Sequence, residues 1–159
     1  MPEEIRSPRP WVQLAAFCQT AITENNGALS IIRITDRTGV VGVTPEMPPT
    51  NIQLTMVVIF KSDLMAGQYR IGIRSTSPSG QVTPGPEFPA LFEGADRGVQ
   101  LILPTGILAA EQGLYWFDVL IDDELFTRIP LRVMYQRIQL PPGVGFAAPG
   151  TPPGTPPSG

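Results

Sequence analysis

Residues 113–133 read GLYWFDVLIDDELFTRIPLRV. Tyr115, Phe117, Val119 and Ile121 alternate with Trp116, Asp118 and Leu120. Side chains of a strand point to opposite faces in turn, so this pattern predicts a strand with one face in a core. Asp122-Asp123-Glu124 reads as a turn, because Asp tolerates left-handed backbone and bonds to its own turn. Leu125, Thr127, Ile129, Leu131 and Val133 then return, with Arg128 and Arg132 on the outer face. Pro130 has no N–H to offer a neighbour, which predicts an edge strand or a bulged one.

The same period extends outward on the N-terminal side. Trp11 to Gln19 and Leu29 to Thr35 are strand-like runs, and Asn25-Asn26-Gly27 between them predicts a hairpin. Asp36 to Thr50 reads as a long Pro-containing connection. Ile52, Leu54, Met56, Val58 and Phe60 share a face, while Val57 and Ile59 point to cover on the other side as well. After a turn near Asp63 to Gly67, Tyr69, Ile71 and Ile73 alternate with Arg70, Gly72 and Arg74, and Pro78-Ser79-Gly80 closes that strand. Residues 82–96 hold Pro84, Pro86 and Pro89, which excludes a central strand. Val99, Leu101 and Leu103 alternate again. Ile107 to Gln112 has room for one helical turn at most. The reading is all-β: about seven strands in an antiparallel two-sheet sandwich.

Glu111-Gln112-Gly113-Leu114-Tyr115 is similar to the tyrosine corner of immunoglobulin-like domains, in which the Tyr hydroxyl bonds back to nearby backbone. Two residues on, where antibody domains carry a cysteine, stands Phe117. The sandwich is therefore expected to be immunoglobulin-like, with an apolar side chain in place of the inter-sheet disulfide.

Composition sets the organisation. The chain has 159 residues, with 19 prolines and 16 glycines. Residues 1–10 read as a flexible leader, 11–137 as one β-sandwich domain, and 138–159 as a disordered Pro/Gly-rich tail. From residue 141 onward the tail carries no charge, so it buries too little to offset its ordering entropy.

Missing residue types exclude chemistry. The chain has no histidine and one cysteine, Cys18. Ser-His-Asp and Cys-His catalysis, His-containing metal sites and an intramolecular disulfide are excluded. Cys18 lies in an apolar run and reads as a small buried hydrophobe. Eleven basic residues against 14 acidic ones give a net charge of −3 with no basic stripe, so a nucleic-acid partner is not expected. No apolar run is long enough to span a membrane, and the unpaired cysteine suits the cytoplasm.

Three groups remain as candidates. Asp118, Asp122, Asp123 and Glu124 form an acidic cluster. Calcium would suit such loop carboxylates, but ordinary turn chemistry explains Asp-Asp at a hairpin tip. Trp11 and Trp116 would serve as sugar-stacking rings if exposed. Arg70, Arg74, Arg128 and Arg132 would share a surface if their strands share a sheet. No catalytic, cofactor-binding or metal-binding residue is assigned, and no cofactor is expected.

Three stretches carry a family resemblance: ITENNGALSIIRITDR (22–37), LTMVVIFKSDLMAGQYRIGIRSTSPSG (54–80) and residues 113–133. Their strand ending in Asp36, the turn Pro78 to Gly80, and the Gly113 to Val119 strand leading into Pro130-Leu131 resemble an uncharacterised family of small bacterial β-sandwich proteins. The resemblance implies a single immunoglobulin-like domain and no activity. The functional expectation is a non-enzymatic protein-binding or assembly module, with a protein partner or a second copy. The alternative is a small-ligand module for carbohydrate, and the third is an enzyme that works through carboxylates alone.

Overall fold

The computed structural model describes residues 9–143. The hairpin read first is present: β6 (Gly113–Ile121) and β7 (Glu124–Arg137) are antiparallel. Asp122 and Asp123 both adopt left-handed backbone (φ 46° and 68°), the geometry of a tight turn matched to strand twist. Tyr115, Phe117, Val119, Ile121, Ile129, Leu131 and Val133 are all buried. One expectation fails within this hairpin. A register shift at Val119/Leu120 reverses the alternation beyond it, so Leu125 is exposed and Phe126 packs against the core instead.

The other hairpin joins β1 (Trp11–Thr23) to β2 (Leu29–Thr35). Gly27 supplies positive φ at its tip, and the Ala28 N–H donates to Asn26 Oδ1 at 2.9 Å. Between β2 and residue 50 the expected plain connection contains β3 (Arg37–Gly42), which pairs in parallel with Arg132 to Arg137 of β7. Its six residues include two glycines, too short and too weakly alternating to signal a strand.

The expected turn at Asp63 to Gly67 does not reverse the chain. β4 runs from Thr50 to Thr76, with its register broken at Lys61/Asp63 and Asp63/Ala66. Its partner β5 (Val82–Ala109) is irregular at the same level, where Asp63 and Ala95 face each other, both with positive φ (52° and 53°). β5 absorbs the proline segment 82–96. It pairs only with β4, so it lies at an edge, where prolines are tolerated. It also extends to Ala109, replacing the helical turn allowed at Ile107 to Gln112.

The described residues thus form seven strands and no helix, hence no helix long and apolar enough to cross a membrane. The strands make one mostly antiparallel sheet in the order β2-β1-β4-β6-β7-β3, with β5 beside β4. β7 is interior only from Arg132 onward; at Pro130 it has β6 on one side and no strand on the other, which accommodates the missing N–H.

A single core cluster draws on β1, β3, β4, β5, β6 and β7. Phe17 of β1 meets Phe117 of β6 edge-on, with centroids 4.8 Å apart. Val57 is fully buried on the opposite side of β4 from Met56 and Val58, as the doubly apolar run anticipates. Cys18 is buried, and burial pushes its thiol pKa up. The expected leader 1–10 and tail 138–159 fall largely outside the described residues.

Candidate functional site

β4, β6 and β7 are neighbours, so the arginines read from their outer positions do share one sheet face. Register places Arg74, Asp118 and Arg128 in a single row across the three strands. Asp118 Oδ2 accepts from Arg74 Nε (3.2 Å) and Nη2 (2.7 Å), and Asp118 Oδ1 accepts from Arg128 Nε (2.7 Å). The carboxylate is 1% exposed, whereas the Arg74 and Arg128 side chains are 40% and 48% exposed. Desolvation alone would raise the Asp118 pKa. Hydrogen bonds from Arg128 and Arg74, with their charge, outweigh it and hold the group below the usual carboxylate range. Arg128 is held above its ordinary value by the same bond.

The next row along the sheet contains Trp116, opposite Thr76 on β4 and Pro130 on β7. The Arg128 guanidinium carbon lies 5.4 Å from the Trp116 ring centroid, within cation–π range. Trp116 is partly buried, as are Leu114, Leu120 and Pro130 on this side of the sheet. Trp11 is 52% exposed and pairs with Lys61, far along β4 from the Thr76 that pairs with Trp116.

The acidic cluster is taken apart by the fold. Asp118 sits inside the sheet row. Asp122 Oδ1 accepts from the Arg70 backbone N–H at 2.8 Å. Asp123 binds the Arg70 guanidinium at 2.6 Å, and Glu87 approaches it from β5 at 3.4 Å. Glu124 faces Arg9 at 3.5 Å. Asp118, Asp123 and Glu124 thus each meet an arginine side chain and Asp122 a backbone amide, and no group of three metal-ligating side chains converges among the described residues. Of the four arginines read together, Arg74 and Arg128 meet on Asp118. Arg70 serves the hairpin tip, and Arg132 stands opposite Arg37 on the β3 side.

Sequence reading missed the hub. Proximity along the chain groups Asp118 with the turn acids, although it lies mid-strand. The available signal was its parity: it shares an outer-face alternation with arginines on two other strands.

A hollow of about 220 Å³ is lined by Tyr69, Phe126 and Arg9 and is smaller than ordinary ligand pockets. A second exposed apolar group, Ile22, Ile32 and Ile34, lies on the β1–β2 hairpin.

No curated protein matches this chain. A family model does match, over residues 13–134, and takes in all of the resemblance at 54–80 and 113–133. The chain belongs to DUF6941, a family of unknown function.

Proposed function

We propose that this chain is a non-enzymatic protein-binding module, built as a two-sheet immunoglobulin-like sandwich, that docks its partner on the outer face of β4, β6 and β7. Three features support the sandwich. β4 and β5 are irregular at the same level, at Asp63 and Ala95. Phe17 pairs with Met56, and Phe117 with Ser75, positions that a straight β4 would hold about 60 Å apart. Their rings nevertheless touch, which a sheet folded over on itself explains. The Tyr115 hydroxyl also donates to the Glu111 carbonyl, as a tyrosine corner requires.

The observation that carries the docking reading is the partly exposed Trp116 flanked by Arg128, Arg128 itself being fixed by buried Asp118. Trp and Arg dominate binding hot spots because they offer large area and directed donors. Held rigidly, they lose little further entropy on binding. The absence of histidine and of a second cysteine from the sequence supports a non-enzymatic role. Unpaired Cys18 suits a reducing compartment such as the cytoplasm.

The test is affinity capture from extracts of the source organism, with light scattering for self-association. A specific species retained by wild type and released by Trp116→Ala supports the reading; a monomer with no such species overturns it. Carbohydrate binding is the second reading, favoured by the partial exposure of both tryptophan rings.

A further inference from the structure

Asp118 does not saturate the two arginines that hold it. It takes two of the five N–H donors on Arg74 and one of the five on Arg128. The remaining donors have no partner among the described residues, and both side chains reach solvent. One carboxylate against two guanidiniums leaves one positive charge uncompensated. Arg70 adds none, because Asp123 and Glu87 hold it and leave that flank negative. The row therefore matches a singly charged anion in charge. A guanidinium fork matches a planar carboxylate in geometry as well as in charge. Partly buried Trp116 and Pro130 on one side, and Leu120 on the other, occupy the rows next to the forks, so an anion carried on an apolar chain gains contact that a free inorganic ion does not.

We propose that Arg74 and Arg128, set by Asp118, form a receptor for one acidic side chain of a partner protein, with Trp116 packing on an apolar neighbour of that residue. This rests on the docking-face reading above.

The experiment uses the full chain with isotope-labelled arginine and follows the Arg74 and Arg128 Nε–H signals by NMR. The probe is N-acetyl-Leu-Glu-Leu-amide, whose blocked ends leave only the side-chain carboxylate. N-acetyl-Leu-Gln-Leu-amide and inorganic phosphate are the comparators. The expected result is a saturable shift with the Glu probe, weaker by about tenfold or more with the Gln probe. The shift is lost in Arg128→Gln and weakened in Arg128→Lys, which keeps a charge beside Asp118 but removes the fork. Thermal unfolding of both variants checks that they fold, and Arg128→Lys decides the matter if Arg128→Gln does not. No saturable shift with the Glu probe, equal response to both peptides, or tighter binding of phosphate overturns the proposal. A captured partner released by Trp116→Ala but retained by Arg128→Lys overturns the carboxylate receptor and leaves the docking face standing. A partner retained by Trp116→Ala overturns the docking face, and the peptide titration still decides the receptor.

Discussion

Tyr115 donates its hydroxyl to the carbonyl oxygen of Glu111 at 2.8 Å, closing the corner through which the chain enters β6. The ring is buried, so the bond is shielded from water, and desolvation pushes the phenol pKa up. Tyr115→Phe keeps the ring and removes the bond. The expected loss is about 1 kcal/mol, typical of a single hydrogen bond. It is read as a lower denaturant midpoint at unchanged m-value; an unchanged midpoint would mean that the corner bond contributes nothing.

The same corner fixes Gly113. Its φ is +136°, and a Cβ there would stand 2.8 Å from Cβ and Cγ of Pro78. Gly113→Ala therefore meets both backbone strain and a steric clash, and should cost about 2 kcal/mol or more. Adding Pro78→Gly removes both contacting atoms, and with them the clash, but not the strain. The double variant should recover part of the loss, and chemical denaturation of all four proteins tests this coupling.

Phe17 and Phe117 join β1 to β6 through an edge-on ring contact, and both are buried. Phe117→Ala should cost about 3–5 kcal/mol, as aromatic truncations in cores do. A double-mutant cycle with Phe17→Ala should return a coupling of about 0.5–1.5 kcal/mol. Additive losses would place the two rings out of contact.

What the sequence made legible, and what it hid, follows from where information is local. The β6–β7 hairpin is legible because nine residues alternate without interruption before Asp122, and the Asp-Asp turn is chemically specific. The Tyr115–Glu111 bond is legible because Glu111, Gly113 and Tyr115 act within one short segment. β3 is hidden because its pairing is parallel and distant: Arg37 meets Arg132. The continuity of β4 is hidden because Asp63 and Gly67 give the same signal whether a chain bends or reverses. Leu125 misleads because one bulge within β7, at Phe126, exchanges the faces of that strand. The Asp118 row is visible only once Arg74 and Arg128 are known to flank it.

Asp118 makes stability depend on acid. Its folded pKa lies below the unfolded value of about 3.9. The group therefore stabilises the fold fully above the unfolded pKa, and that contribution is lost as pH falls through the folded pKa. Asp118→Asn should be less stable than wild type at pH 7 by about 2 kcal/mol, since charged hydrogen bonds are lost to half-exposed arginines. The gap should narrow below about pH 4. Thermal melts of both proteins from pH 7 down to pH 3 measure this; a constant gap would show that Asp118 carries no charge-dependent share.

The two tryptophans should answer quenchers differently. Trp11 is 52% exposed near the start of β1, whereas Trp116 is partly buried with a guanidinium 5.4 Å from its ring centroid. In Trp11→Phe the remaining emission comes from Trp116, and acrylamide should quench it less steeply than the emission of Trp116→Phe. Arg128→Lys in the Trp11→Phe background should steepen that quenching, because the planar guanidinium shields the ring better than a hydrated ammonium does. The same single-tryptophan proteins separate the two functional readings. A glycan that stacks on Trp116 protects it from acrylamide and shifts its emission. Unchanged emission across a glycan panel leaves the ring to protein partners.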